Sequence, residues 1–294
     1  MNSNMVSGSS ERYRQLVDNI DNLPPFPAIV NRLIEVINSP ESSADDAAKL
    51  LEKDPALTSK IIRLANSAFY GIPRSISSVS TAVVILGFNA VRSIVLSVSL
   101  MKMFPVIKNR AFDRDRFWKH SIVTALASRI IVRHFFNVRI MDPESAFCAG
   151  ILHDIGKLIF CEYMSREYLE VCEYARENKI ALLDAEKRVL GFSHAELGKI
   201  LAEKWALPSD LGHAIIYHHN PGDAHELVDL VTTVHIADLF AHESGNGLWE
   251  EEVSPGEWEQ ARTVLKLSEA DYRKVNETLA QNMEKSSEFF SIIK

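Results

Sequence analysis

The stretch Ala149-Gly-Ile-Leu-His-Asp-Ile-Gly-Lys157 sets a histidine and an aspartate side by side after a short apolar run. Neutral imidazole and carboxylate are ligand types that hold iron, manganese, zinc and similar divalent ions. We expect His153 and Asp154 at the C-terminal end of a helix, where Gly156 lets the chain unwind and directs both side chains to one point. Lys157, three residues after the aspartate, could bind phosphate or protonate a leaving oxygen.

An ordered set of further histidines and one aspartate surrounds this dipeptide. All ten histidines of the chain lie beyond residue 119. The seven candidate metal ligands, in chain order, are His120, His153, Asp154, His194, His218, His219 and Asp238. Because an aspartate can bridge two metals through its two oxygens, seven such ligands suffice for a two-metal site that could activate water and polarise a phosphoryl oxygen.

Taken singly, each of these residues has an ordinary structural explanation. A single histidine at a helix start is commonly a cap, and His-Asp-x-Gly-Lys could be a helix end with Lys157 placed against the helix dipole. The joint order is what predicts a metal site. His235 shares a helix face with Asp238 and could lie behind the ligands. Surface or packing positions are predicted for the other five histidines, His134, His213, His225, His235 and His242.

The composition is that of an ordinary globular protein. Of 294 residues, 47% are hydrophobic and 24% are charged, which excludes a disordered chain and allows a substantial core. The net charge of -7 and the scattered basic residues predict no broad nucleic-acid surface. Cys148, Cys161 and Cys172 form no CxxC pair, and no signal peptide is evident, so we expect reduced, buried thiols in a cytoplasmic protein.

One apolar segment, residues 82–104, has the length of a membrane span. Gly87, Asn89 and Arg92 interrupt it, and an arginine at mid-span costs about 2.5–3.5 kcal/mol on insertion. We therefore predict two short buried helices that meet at Gly87 and no membrane association.

Helical periodicity runs through nearly the whole chain and predicts an all-α protein, with an N-terminal helical lobe packed on a helical bundle. The expected segments are a flexible tail at 1–19, a first lobe at 20–104, a polar connector at 105–116, a second lobe at 117–243, and a loop with C-terminal helices at 244–294.

Capping residues indicate where individual helices begin. A first helix is predicted over residues 27–37, and Ser43 with Asp46 predicts a capping box for the next. Asp54 followed by Pro55 predicts a third helix start. Further N-caps are predicted at Ser80 and Asn89, and two C-terminal helices are predicted over 255–265 and 268–289.

The order His…His-Asp…Asp resembles the signature of the HD phosphohydrolase superfamily, and the stretch 149–157 is similar to its central motif. Ser193-His-Ala-Glu-Leu-Gly-Lys-Ile-Leu-Ala-Glu-Lys-Trp-Ala-Leu-Pro208 and Ala214-Ile-Ile-Tyr-His-His219 resemble its HDOD and HD-GYP branches. The first lobe favours HDOD, through segments that resemble its hallmarks over about residues 20–240. These segments are Leu23-Pro-Pro-Phe-Pro27, Asp54-Pro-Ala-Leu-Thr58, Leu64-Ala-Asn-Ser-Ala-Phe-Tyr-Gly71 and the run 75–87.

This resemblance implies how the ligands divide between two metal ions, such as iron or manganese. By analogy, His120, His153 and Asp238 would hold one ion and His194, His218 and His219 the other, with Asp154 between them. It also implies an HD-type helical bundle as the second lobe. HDOD domains are generally regarded as signalling output modules without assigned catalysis, whereas HD-GYP proteins hydrolyse cyclic di-GMP.

The chain departs from the HD-GYP pattern directly after the double histidine. There it reads Asn220-Pro-Gly-Asp-Ala-His225 instead of Asp-Gly-x-Gly-Tyr-Pro, so cyclic di-GMP hydrolysis is not expected. Three hypotheses stay open. One is a signalling module with a structural or sensory metal centre and a signalling protein as partner. Another is a metal-dependent phosphohydrolase that uses Asp154 and Lys157 on a nucleotide or other phosphate ester, and the third is a scaffold without metal.

Overall fold

The computed structural model describes residues 25–39, 41–104, 112–135, 141–247, 258, 263 and 265–294. Every regular element within these ranges is helical, which confirms the all-α class. The helices are α1 (Ala28–Asn38), α2 (Ala44–Leu51), α3 (Pro55–Ala65), α4 (Val79–Leu86), α5 (Phe88–Met103), α6 (Arg114–Phe135), α7 (Pro143–Leu152), α8 (Ile155–Tyr163), α9 (Ser165–Asn178), α10 (Leu182–Val189), α11 (His194–Lys204), α12 (Ser209–Tyr217), α13 (Val228–Ala241) and α14 (Glu269–Ile293).

Two of the predicted helix starts in the first lobe are confirmed by their hydrogen bonds. The Ser43 hydroxyl accepts from the Asp46 amide, and the Asp46 carboxylate accepts from the Ser43 amide, which completes the capping box of α2. The Asp54 carboxylate accepts from the Leu57 amide at 3.0 Å, and Pro55 is the first residue of α3.

The N-caps predicted at Ser80 and Asn89 are wrong. Ser78 caps α4 through the amide of Thr81, and α5 begins directly after Gly87. The buried face of α4 consists of Val79, Ala82 and Val83.

The apolar stretch does form two helices that meet at Gly87, as predicted. Gly87 has a φ of 84°, and α4 and α5 are bent by 117° relative to each other. None of the described helices is by itself long and apolar enough to cross a membrane, and α4 with α5 passes that test only as a bent pair.

The predicted connector extends too far toward the second lobe. α6 begins at Arg114, because the Asp113 carboxylate accepts hydrogen bonds from the amides of Asp115 and Arg116 and so initiates the helix. Residues 105–111 and the predicted tail 1–19 lie outside the described residues.

Of the two C-terminal helices predicted, the one over 268–289 is confirmed by α14. α14 begins after the capping box of Ser268 and Asp271. The expected loop at 244–256 starts instead as a π-helical turn, His242–Asn246, and residues 248–257 lie outside the described part. Most of the helix predicted over 255–265 also lies outside it.

One continuous apolar core joins the two lobes, and α6 lies near its middle. α6 packs against α7, α13 and α14, while α5 packs against α7 and also against α1, α3 and α4. Phe69 of the first lobe contacts Phe147 and Phe289, with ring centroids 5.6 and 4.6 Å away. The three predicted buried thiols are confirmed as buried and free. The shared core fixes the second lobe, in which several of the candidate ligands lie at the ends of α7, α11 and α12.

Candidate metal centre

The structure brings all seven candidate ligands to one place from five segments. His120 lies on α6, His194 is the first residue of α11, and Asp238 lies on α13. His153 and Asp154 occupy the junction of α7 and α8, and His218 and His219 directly follow α12. Such convergence from distant positions requires the tertiary fold, and it satisfies the expectation that His120 and Asp238 lie close to Asp154.

The junction that carries His153 and Asp154 follows the C-terminal end of α7, as predicted, but it differs from the prediction at Gly156. The chain does not unwind at Gly156, since α8 begins at Ile155 and Gly156 lies inside it. A Cβ atom at Gly156 would lie 1.9 Å from the backbone oxygen of His194. Gly156 therefore allows α8 and α11 to approach closely, which sets Asp154 and His194 side by side.

The first half of the centre consists of His120, His153 and Asp238. The Nε2 atom of His120 lies 3.1 Å from Asp238 Oδ1 and 3.3 Å from His153 Nε2. His153 Nε2 lies 3.6 Å from the same Asp238 oxygen. These atoms lie within 4.8 Å of one another, a spacing that suits ligands of one metal ion.

The second half consists of His194, His218 and His219, together with Asp154. His194 Nε2 lies 3.2 Å from Asp154 Oδ1 and 3.0 Å from His219 Nε2, and His218 Nε2 lies 3.6 Å from Asp154 Oδ1. The other oxygen of Asp154, Oδ2, lies 3.5 Å from His120 Nε2 and 3.4 Å from His153 Nε2. Asp154 therefore faces one half with each of its two oxygens.

The histidine rings are held from behind by their Nδ1 atoms. His120, His153 and His218 contact the backbone oxygens of Asn246, Gly150 and Ile215 at 3.1, 2.8 and 2.8 Å. Because a carbonyl oxygen only accepts, Nδ1 carries the proton and Nε2 of each neutral ring presents a lone pair to the centre. With both rings neutral, the lone pairs of His120 and His153 would oppose each other, an arrangement that a shared proton or metal ion relieves.

Three buried atoms that face the centre have no hydrogen-bond partner among the described residues. They are Asp154 Oδ1, Asp238 Oδ1 and His218 Nε2. Imidazole nitrogens lie 3.1–3.6 Å from the two carboxylate oxygens, but not in hydrogen-bonding geometry. Buried acceptors without donors are costly, and a bound cation would satisfy all three. The residues present therefore fit a centre for divalent metal ions.

The charges of the centre also favour a cation. Burial disfavours the charged form of His153, but the carboxylates of Asp154 and Asp238 outweigh it and raise the pKa of His153 to about 10. Burial lowers the pKa of His218 to about 4. Burial opposes ionisation of Asp154, yet Lys157 and His153 hold the pKa of that carboxyl well below its usual value. A metal-free centre therefore binds protons on His153, which metal binding would displace.

Lys157 lies within the centre and does not extend into solvent. Its Nζ atom donates to Asp154 Oδ2 at 2.7 Å, and only 5% of the residue is exposed. The ammonium group thus neutralises part of the carboxylate charge.

The sequence did not reveal two residues behind the ligands, Glu186 and His242. The Glu186 carboxylate is fully buried and accepts from His194 Nδ1 at 2.7 Å. A signal for it existed, since Leu182, Ala185 and Glu186 share the buried face of α10, and a carboxylate on an apolar helix face requires a partner.

His242, predicted at a surface or packing position, packs against the ring of His120. Its Nε2 atom lies 3.6 Å from Asp238 Oδ1, four residues back along the chain. His235 Nδ1 lies 2.7 Å from the backbone oxygen of His218, so the position suggested for it behind the ligands is found. Both residues belong to the surroundings of the centre.

This architecture, an all-helical fold closed around a buried His/Asp cluster at helix junctions, defines a class of helical proteins with a candidate metal centre. The sequence model of the HDOD domain matches residues 23–221, and the chain belongs to the HDOD domain family.

Relatives of known structure share the whole fold. An HDOD domain protein of unknown function from Geobacter sulfurreducens is 27% identical, with 98% of both chains covered and a TM-score of 0.77. A protein from Shewanella amazonensis SB2B, provisionally named a phosphohydrolase, is 25% identical over 95% of this chain and 98% of its own, with a TM-score of 0.75.

An uncharacterised protein of Treponema pallidum (strain Nichols) is 25% identical over 225 residues. The match covers 76% of this chain and 43% of that protein, so the chain spans less than half the length of this relative.

Proposed function

We propose that this protein is an HDOD signalling output module whose His/Asp centre holds two divalent transition metal ions, such as iron or manganese. His120, His153 and Asp238 would hold one ion, His194, His218 and His219 the other, and Asp154 would bridge them. The observation that carries the proposal is the convergence of seven candidate ligands, among which Asp154 Oδ1, Asp238 Oδ1 and His218 Nε2 are buried without a hydrogen-bond partner among the described residues.

Burial of the centre favours a structural or sensory role for the metals over turnover. His120, His153, Asp154 and His218 are each 0% exposed. His219 is half-buried, whereas the other six candidate ligands are buried. A substrate would need open coordination positions and a path to them. The first lobe, which the HDOD motifs define, is the part that we propose to contact a signalling protein partner.

Lys157 and the Shewanella relative support a second candidate, a metal-dependent phosphohydrolase acting on a nucleotide or another phosphate ester. When bound, the metal ions would supply Lewis acidity toward a phosphoryl oxygen. Asp154 would position them, and the Lys157 ammonium, 2.7 Å from that carboxylate, would contact the phosphate.

A paired experiment separates the two candidates. Unfolding is measured with Mn2+ and after chelation, and nucleotides and phosphodiesters are screened with Mn2+ or Fe2+, for wild type, Asp154→Ala and the exposed control His225→Ala. We expect Mn2+ to stabilise wild type and His225→Ala but not Asp154→Ala, because a ligand that binds only the folded state stabilises it.

We also expect no turnover above the level of the Asp154→Ala protein. If wild type turns over a substrate and Asp154→Ala or Lys157→Ala abolishes this activity, the phosphohydrolase proposal replaces the signalling proposal. Equal stability of wild type with and without Mn2+ would contradict both.

A further inference from the structure

Two halves of the same centre differ in what lies behind their histidines. His120 and His153 in the first half contact backbone oxygens through Nδ1. In the second half His194 Nδ1 instead contacts the carboxylate of Glu186. A carboxylate carries a full negative charge where a carbonyl carries only a partial one, so the two halves differ in electrostatic potential.

Glu186 is held firmly in this position. Its Oε2 atom accepts from both Nδ1 and the backbone amide of His194, at 2.7 and 2.8 Å. Its Oε1 atom accepts from the Tyr168 hydroxyl at 3.2 Å. Glu186 and Tyr168 are both fully buried. Because both carboxylate oxygens are bonded, the ring of His194 is fixed in the tautomer that presents Nε2 to the centre.

A buried carboxylate behind a ligating histidine strengthens the metal site. It makes the imidazole more basic and brings negative charge near the ion without occupying a coordination position. Loss of such a partner weakens metal affinity by roughly 10- to 100-fold.

The bridging aspartate is asymmetric in the same direction. Asp154 Oδ1, which faces His194 and His218, is buried and has no hydrogen-bond partner among the described residues. Asp154 Oδ2, which faces the first half, already accepts from Lys157 at 2.7 Å. An ion in the second half would therefore have an unshared carboxylate oxygen, whereas an ion in the first half would compete with an ammonium group.

We infer that the two metal positions are unequal: the one at His194, His218 and His219 is the tight position and fills first, and Glu186 is the positioning residue that makes it so. The position at His120, His153 and Asp238 is the weaker one, which gains or loses its ion as the available metal changes. This inference rests on the proposed metal centre and assigns its regulation, because only the weaker position would respond to metal supply.

Calorimetric titration of chelator-stripped protein with Mn2+ tests the inference. We expect two resolved binding steps in wild type. Glu186→Gln keeps an oxygen acceptor for His194 but removes the charge, and should weaken the tighter step by roughly 10-fold or more with the weaker step unchanged. His225→Ala, which changes an exposed histidine outside the centre, is the control and should keep both steps.

Two equal binding steps in wild type would overturn the inference. So would a Glu186→Gln protein in which both steps weaken alike or neither weakens. Each of these outcomes would leave the proposed metal centre intact. Absence of Mn2+ binding to wild type would overturn the proposed function and the inference together.

A second measurement does not depend on the variants folding. Crystals of wild type grown with one equivalent of Mn2+ should show an anomalous difference peak beside His194, His218 and His219. A peak of equal or greater height beside His120, His153 and Asp238 would contradict the assignment.

Discussion

Among the described residues, two of the groups of buried charged side chains are built in opposite ways. One surrounds Arg129, whose guanidinium lies 3.5 Å from Glu144 Oε1 and 4.2 Å from the ring centroid of Phe69. In this Arg129 cluster, opposite charges and aromatic faces from both lobes pair directly. In the metal centre, by contrast, lone pairs and carboxylate oxygens face one another.

The difference shows which buried charges indicate a ligand. The Arg129 cluster leaves one carboxylate oxygen, Glu144 Oε2, without a partner, but its charges are balanced by side chains of the protein itself. The metal centre leaves acceptors without donors at its middle, so its balance requires protons or a cation. We therefore assign the Arg129 cluster to holding the lobes together and the centre to binding metal.

The largest expected decrease in the free energy of unfolding comes from Arg129→Met. It leaves Glu144 buried beside only the exposed Arg133, and removal of one partner of a buried ion pair costs about 3–5 kcal/mol. The metal content of the folded fraction should stay unchanged. Urea unfolding and metal analysis measure both quantities.

Arg133→Met is the matched control on the same carboxylate. Its side chain is 57% exposed, so its loss should cost less than about 1 kcal/mol. Equal destabilisation by both variants, or metal loss in Arg129→Met alone, would remove the distinction between the two clusters.

The next largest effect is expected from Gly156→Ala. The new methyl group would meet the backbone of His194, and overpacking of this kind costs about 1–3 kcal/mol. Because the clash separates α8 from α11, this variant should also bind Mn2+ more weakly, unlike Arg129→Met.

Gly212→Ala serves as its control within α12. A Cβ atom there meets nothing within 4 Å, so alanine should stabilise the helix by up to about 1 kcal/mol. Gly156→Ala with wild-type stability and wild-type Mn2+ affinity would show that the close approach of α8 and α11 is unimportant.

The last expected effect is a pH dependence confined to the metal centre. The pKa of His153, about 10, exceeds its ordinary value because Asp154 and Asp238 outweigh burial, and the pKa of His120 is raised too. These protons stabilise the metal-free fold fully below pH 6.5, and that contribution is lost as the pH rises toward 10.

Chelated protein should therefore lose stability between pH 6.5 and 8, by up to about 1.4 kcal/mol per pH unit for each proton. His153→Gln should flatten this slope, whereas Arg133→Met should keep it. With Mn2+ present the added stability should instead increase with pH, because metal binding releases protons. A slope of chelated wild type that matches His153→Gln would show that His153 is not protonated there.

The sequence predicted the class of fold from local signals, and the order of histidines and aspartates along the chain predicted which of them the structure brings together. Helix caps such as Ser43 and Asp54 are set by neighbouring residues, and the order of histidines and aspartates can be read directly. Ser80 was mistaken for a cap because Ser78 is equally suitable locally, and only the burial of Val79 decides between them.

The surroundings of the centre could not be predicted in the same way. Glu186 is eight residues from His194 along the chain, and their contact depends on how α10 and α11 are folded together. Gly156 was taken for a helix stop because its close neighbour, the backbone of His194, is distant in sequence.

The central claim is that the cluster around Asp154 holds metal, and elemental analysis of wild type purified without chelator tests it most directly. We predict at least about one equivalent of iron or manganese per chain, rising to about two after incubation with that metal and removal of the excess. His225→Ala should match wild type and Asp154→Ala should not. Less than about a tenth of an equivalent of any transition metal in wild type, before and after incubation, would contradict the claim.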